Sequence, residues 1–155
     1  MTDMKRRIFL KGSVAAGAVG LAAGVLTPQA VLAAWPKAAF ESKDLGAALN
    51  DVFGSDAAEA SDAIMIKAPD IAENGAVVPI TIETSAEGVT EIALIAKENA
   101  TPLVAVYHLT ESSVPFVSNR IKMGKTGDVV AVVKAGGKMM KAHKSVKVTI
   151  GGCGG

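Results

Sequence analysis

The 155-residue sequence contains one cysteine and two histidines, and each shortage removes a class of chemistry. A single thiol, Cys153, cannot form an intrachain disulfide and cannot build a thiolate metal cage. A blue-copper centre needs two histidines, a cysteine and usually a methionine around one pocket. Here His108 and His143 lie upstream, and only two glycines follow Cys153. Met139, Met140 and His143 are close in sequence, but adjacent methionines on a strand point to opposite faces. No Ser/His/Asp set or paired carboxylates stand at a spacing that specifies catalysis, so no catalytic residue, metal site or cofactor is predicted. The formal net charge of +1 gives no basic excess of the kind nucleic acid attracts.

The N-terminus does carry a signal. Met4-Lys5-Arg6-Arg7-Ile8-Phe9-Leu10-Lys11-Gly12 places paired arginines before Phe-Leu-Lys, and an Ala/Gly-rich apolar run from Ser13 to Leu26 follows. This reads as a twin-arginine export signal over residues 1–33, with small residues at Ala33 and Ala34 for cleavage. A membrane anchor is the competing reading, but the glycines and alanines argue against it. The expectation is therefore an exported, periplasmic protein with no membrane domain. The mature part, 122 residues, is one domain with enough chain to bury a core. Its first half, 34–98, has 4 basic and 12 acidic residues, and 99–155 has 8 basic and 2 acidic. Both halves of a sandwich contribute to each sheet, so this asymmetry need not become a charged face.

After the leader, Leu45, Ala48, Leu49, Val52 and Phe53 recur at helical spacing, with Ser42 as the expected cap and Gly54 as the stop. The polar stretch from Ser55 to Asp62 reads as a linker or a further helical turn. From residue 63 the period becomes two. Strands are expected at Ile64–Ile66, Val78–Ile82, Ile92–Ala96, Leu103–Leu109, Phe116–Met123, Val129–Lys134, Lys138–His143 and Ser145–Ile150. Asn74-Gly75, Glu87-Gly88 and Gly136-Gly137 turn the chain, and Pro79, lacking a ladder donor, belongs at an edge or bulge. Short strands without interleaved helices predict an all-β fold: an immunoglobulin-like antiparallel β-sandwich over 34–150 with a short N-terminal helix. A closed barrel would have the same pattern.

The last strand runs directly into Gly151-Gly152-Cys153-Gly154-Gly155. Four glycines leave the sulfur as the one reactive side chain on a backbone of maximal freedom. The segment reads as a flexible carrier arm, with Cys153 as the covalent attachment point. A frayed terminus is the plain alternative, but a free thiol in an exported protein is a liability that calls for a reason. Ubiquitin-like sulfur carriers also end in Gly-Gly, yet the cysteine and the export signal set this chain apart from them.

Several stretches carry a family resemblance: Ile66-Lys67-Ala68-Pro69-Asp70-Ile71-Ala72-Glu73-Asn74-Gly75, Val78-Pro79, Arg120-Ile121-Lys122-Met123-Gly124, and Val146-Lys147-Val148-Thr149-Ile150 into the terminal Gly-Gly-Cys-Gly-Gly. Together they resemble the SoxY family, the sulfur-carrying subunit of the bacterial thiosulfate-oxidising complex. The resemblance covers essentially the whole mature chain. It implies a carrier and not an enzyme. Cys153 would hold thiosulfate-derived intermediates while partner enzymes conjugate thiosulfate, release the terminal sulfonate as sulfate, and oxidise the remaining sulfane sulfur. It also implies pairing with a second immunoglobulin-like subunit, SoxZ, and work with a thiosulfate-conjugating c-type cytochrome. From a different class, the rival is a structural or adhesive exported sandwich whose cysteine forms intermolecular disulfides.

Overall fold

Val78, Ile80 and Ile82 are each at most 1% exposed, because alternate residues of a strand share one face. They lie on β4 (Val78–Thr84), the middle strand of an antiparallel sheet between β2 (Ile64–Lys67) and β7 (Phe116–Ile121). The structure, a computed structural model, describes residues 36–149. The predicted leader, Ile150 and the glycine-flanked Cys153 segment lie outside the described residues.

The second sheet holds β5 (Val89–Ala96), β6 (Leu103–His108), β8 (Gly127–Ala135) and β9 (Lys138–Val148). Two short strands, β1 (Glu59–Ala60) and β3 (Ile71–Ala72), pair in parallel with β9. The order is β1-β9-β8-β5-β6. Ile92, Leu94, Val129, Val133 and Val146 from this sheet meet Ile64, Ile80 and Ile82 from the other in one core. Each such side chain contributes about 1.5–3 kcal/mol relative to exposure. The predicted immunoglobulin-like sandwich forms, and neither sheet closes into the barrel that the sequence pattern left open.

The outer face of the larger sheet is buried as well. Ala93, Ile95 and Val132 pack against Ala39, Ala48, Leu49 and Phe53 from α1 (Lys37–Glu41) and α2 (Leu45–Phe53). This explains the near-continuous apolar runs of β5 and β8, which are covered on both faces. The cap of α2 is Asp44 and not Ser42: Asp44 Oδ1 accepts from Ala47 N at 2.7 Å, while Ser42 Oγ accepts from Asp44 N at 3.2 Å. Gly54 ends the helix in the left-handed region, at φ 77°, as expected.

Two further details differ from the sequence reading, and the place of Pro79 agrees with it. The two predicted final strands are one, because β9 pairs with β8 without a break from Lys138↔Ala135 to Val146↔Gly127. The stretch 55–62, read from the sequence as a linker or helical turn, contains β1. Pro79 sits on a central strand, but β2 reaches only as far as Thr81, so at Pro79 the strand has a neighbour on one side. Lys144 pairs with Asp70 at 3.0 Å and Lys134 with Glu91 at 3.2 Å, so the acidic and basic halves of the chain interleave. Among the described residues no helix is long and apolar enough to cross a membrane.

Candidate functional site

The C-terminal segment leaves from a strand end held on both sides. On one side Val148 N donates to Thr126 Oγ1 at 2.9 Å, and the same hydroxyl donates to Val148 O at 3.2 Å. Thr126 thus replaces a strand partner just beyond the last ladder pair, Gly127↔Val146. On the other side Lys147 N donates to Asp70 O at 2.9 Å and Thr149 N to Ala72 O at 3.1 Å. With Val146 fully buried and Val148 half-buried, β9 is anchored through Thr149. Cys153 is the fourth residue after Thr149, a span of about 13–14 Å when extended.

Gly75 closes this clamp. A Cβ there would come within 2.5 Å of Met123 O and 2.7 Å of Val148 Cγ1, while Gly75 O accepts from Met123 N at 2.7 Å. The position therefore requires glycine for close approach and not for an unusual φ. Gly75→Ala is expected to destabilise the protein by about 1–3 kcal/mol, as overpacking against fixed backbone does. A urea titration checks it; an unchanged midpoint would mean the clamp yields freely.

The residues considered for metal chemistry are dispersed. His108 Nδ1 faces Glu91 Oε1 at 3.2 Å, and His143 lies on β9. In the order β6-β5-β8-β9 the two histidines are three strands apart, at least about 14 Å at the usual strand spacing, and offset along the strands as well, since His108 is level with Met139. Met139 packs toward the helices and Met140 toward the inter-sheet core, as alternation requires. No group of three His, Cys, Asp or Glu able to hold a metal exists among the described residues.

Cys153 and its flanking Gly151, Gly152, Gly154 and Gly155 are outside the described residues, so the structure supplies the root of the arm and not its tip. The sequence reading missed Thr126 and β3, whose partners lie 22 or more residues away.

Comparison with known proteins agrees with this architecture. The sulfur oxidation protein SoxY family matches residues 49–153, a stretch that includes the cysteine. The sulfur carrier protein SoxY from Chlorobium limicola f thiosulfatophilum is 48% identical with a TM-score of 0.61, over 66% of this chain and 94% of that one. A superoxide reductase (neelaredoxin) from Ignicoccus hospitalis, 15% identical with a TM-score of 0.50, covers 56% of this chain and 80% of its own, and it shares the fold alone. None of the curated proteins matches the chain. A family match over two thirds of the sequence, ending on the one cysteine and joined to a near-half-identical carrier of the same architecture, means that the chain belongs to the SoxY family.

Proposed function

We propose that this protein is a periplasmic sulfur carrier that holds thiosulfate-derived intermediates covalently on Cys153 and presents them to the enzymes of thiosulfate oxidation. Membership of the SoxY family supports the carrier role in sulfur oxidation, and the solved relative is itself a sulfur carrier protein. The observation that carries the attachment site is the sole cysteine, placed four residues beyond a clamped strand end. A thiol can hold sulfur as a persulfide or thiosulfonate and be regenerated. A tether turns successive encounters into handling of one bound intermediate.

The division of labour follows from the chain's own residues. The sandwich and the Thr126 clamp hold the root, and the glycines leave the sulfur sterically bare. An arm reaching about 13–14 Å obliges a partner to bring its cleft up against that root. On the carrier reading the oxidations and hydrolyses belong to partners: a c-type cytochrome that conjugates thiosulfate, a sulfate-releasing hydrolase and a sulfane-oxidising component. A SoxZ-like second subunit completes the carrier. The paired Arg6 and Arg7 direct export through the twin-arginine route.

Intact mass spectrometry tests the proposal. The mature protein, incubated with thiosulfate and the partner enzymes, gains the mass of one thiosulfate-derived group per chain. An unmodified chain, or one found only as a disulfide-linked pair, would instead favour the structural reading.

A further inference from the structure

The arm's end of the sandwich also carries a recess of about 520 Å³ between the β5–β6 loop and the β7–β8 loop. Its lining includes Glu98, Asn99, Thr101, Lys122, Gly124 and Lys125. Asn99 ties the two loops together: its Nδ2 donates to Lys122 O at 2.7 Å, and its Oδ1 accepts from Gly124 N at 2.9 Å. This fixes the backbone between the two lysines. Among the described residues neither Lys122 nor Lys125 has a carboxylate partner, unlike Lys67, Lys134 and Lys144, each of which is ion-paired. Glu98 is the one anion in the lining, and its stem packs over Gly127, where an added Cβ would collide with it. The recess therefore combines two free ammonium groups, one carboxylate and the Thr101 hydroxyl.

Position gives these charges a use. Lys125 adjoins Thr126, the residue that clamps Val148, so their Cα atoms are about 3.8 Å apart. The recess thus opens close to where the chain departs toward Cys153, within the span of the four residues beyond Thr149. We propose that this recess is a binding site for a tetrahedral sulfur oxoanion, held by Lys122, Lys125 and Thr101. The sulfonate end of a group borne on Cys153, which rests on the carrier reading above, and a free thiosulfate ion present the same oxygens. An ammonium group offers three donors and suits such an anion as a point charge.

Nuclear magnetic resonance of the 15N-labelled mature protein tests the proposal without partner enzymes, and so independently of the carrier reading. In one arm, tetrathionate reacts with the thiolate of Cys153: a sulfur–sulfur bond forms, thiosulfate leaves, and Cys153 retains a thiosulfonate. In the other arm, iodoacetamide caps Cys153 and sodium thiosulfate is titrated against sodium chloride at matched ionic strength.

The amide signals of Asn99, Thr101, Gly124 and Lys125 should shift in at least one arm. Movement with the adduct alone identifies arm-borne cargo, and movement with free thiosulfate identifies the free anion. Replacing both lysines, Lys122→Gln with Lys125→Gln, should weaken free-anion binding about tenfold or more, the scale of charge-assisted hydrogen bonds, and should abolish the adduct shift. Glu98→Gln should tighten binding by removing the opposing charge. No shift in either arm, or shifts unchanged in the double-lysine variant, would overturn the proposal.

Discussion

Cys153→Ser protein, incubated with thiosulfate and the partner enzymes, should gain no mass at all, whereas the parent loads to near one group per chain. The effect is all-or-none because no other side chain in the sequence forms a reversible sulfur–sulfur bond. Serine keeps the size and loses the sulfur. The substitution lies four residues beyond the anchored Thr149 and changes no residue of the clamp or the core, so the melting temperature should stay where it is. Intact mass and thermal unfolding, read on the same preparation, separate lost loading from lost folding. A folded serine variant that still acquires a sulfur adduct would place the attachment elsewhere.

The second large effect is expected from Gly152→Val combined with Gly154→Val. Valine adds a branched side chain on each side of the sulfur and restricts the backbone. None of the held residues, from Val146 through Thr149, changes, so stability should move by less than about 0.5 kcal/mol, as for substitutions away from packing. On the proposal that the sulfur enters a partner's narrow cleft, turnover by the partner enzymes should fall steeply. A small reagent such as iodoacetamide should still label Cys153 at a similar rate, since a reagent of that size is not hindered by a valine on either side. Unchanged enzymatic turnover in the double variant would show that bare flanks are not required.

The strand pattern was legible because β4 alternates between a buried and a wetter face and the end of β9 does the same around Val146, and Val78, Ile80, Ile82 and Val146 declare that period directly. The cover over the larger sheet was not legible. Ala93, Ile95 and Val132 look like extra apolar residues in a strand, and nothing local says that Leu49 and Phe53 will lie over them. The cap was misplaced by two residues because Ser42 and Asp44 are both good caps, and only the Ala47 hydrogen bond decides between them. The join of the last two expected strands was hidden because Lys144 interrupts the apolar alternation; its charge is met by Asp70 from a distant segment. At the site, Cys153 and its glycines stand out in sequence because composition alone makes them unusual. The clamp at their root does not, since Thr126, Gly75 and β3 act through contacts with residues remote along the chain.

The central claim is a cycle on one sulfur atom, and the most direct test follows the C-terminal peptide through time. With the parent protein, thiosulfate and the complete set of partner enzymes, peptide mass spectrometry should show Cys153 first as a thiosulfonate. It should then lose its terminal sulfonate as sulfate appears in solution, and return to the free thiol once thiosulfate is consumed. A peptide containing Cys153 that stays unmodified while thiosulfate is oxidised to sulfate would contradict the carrier role of this chain.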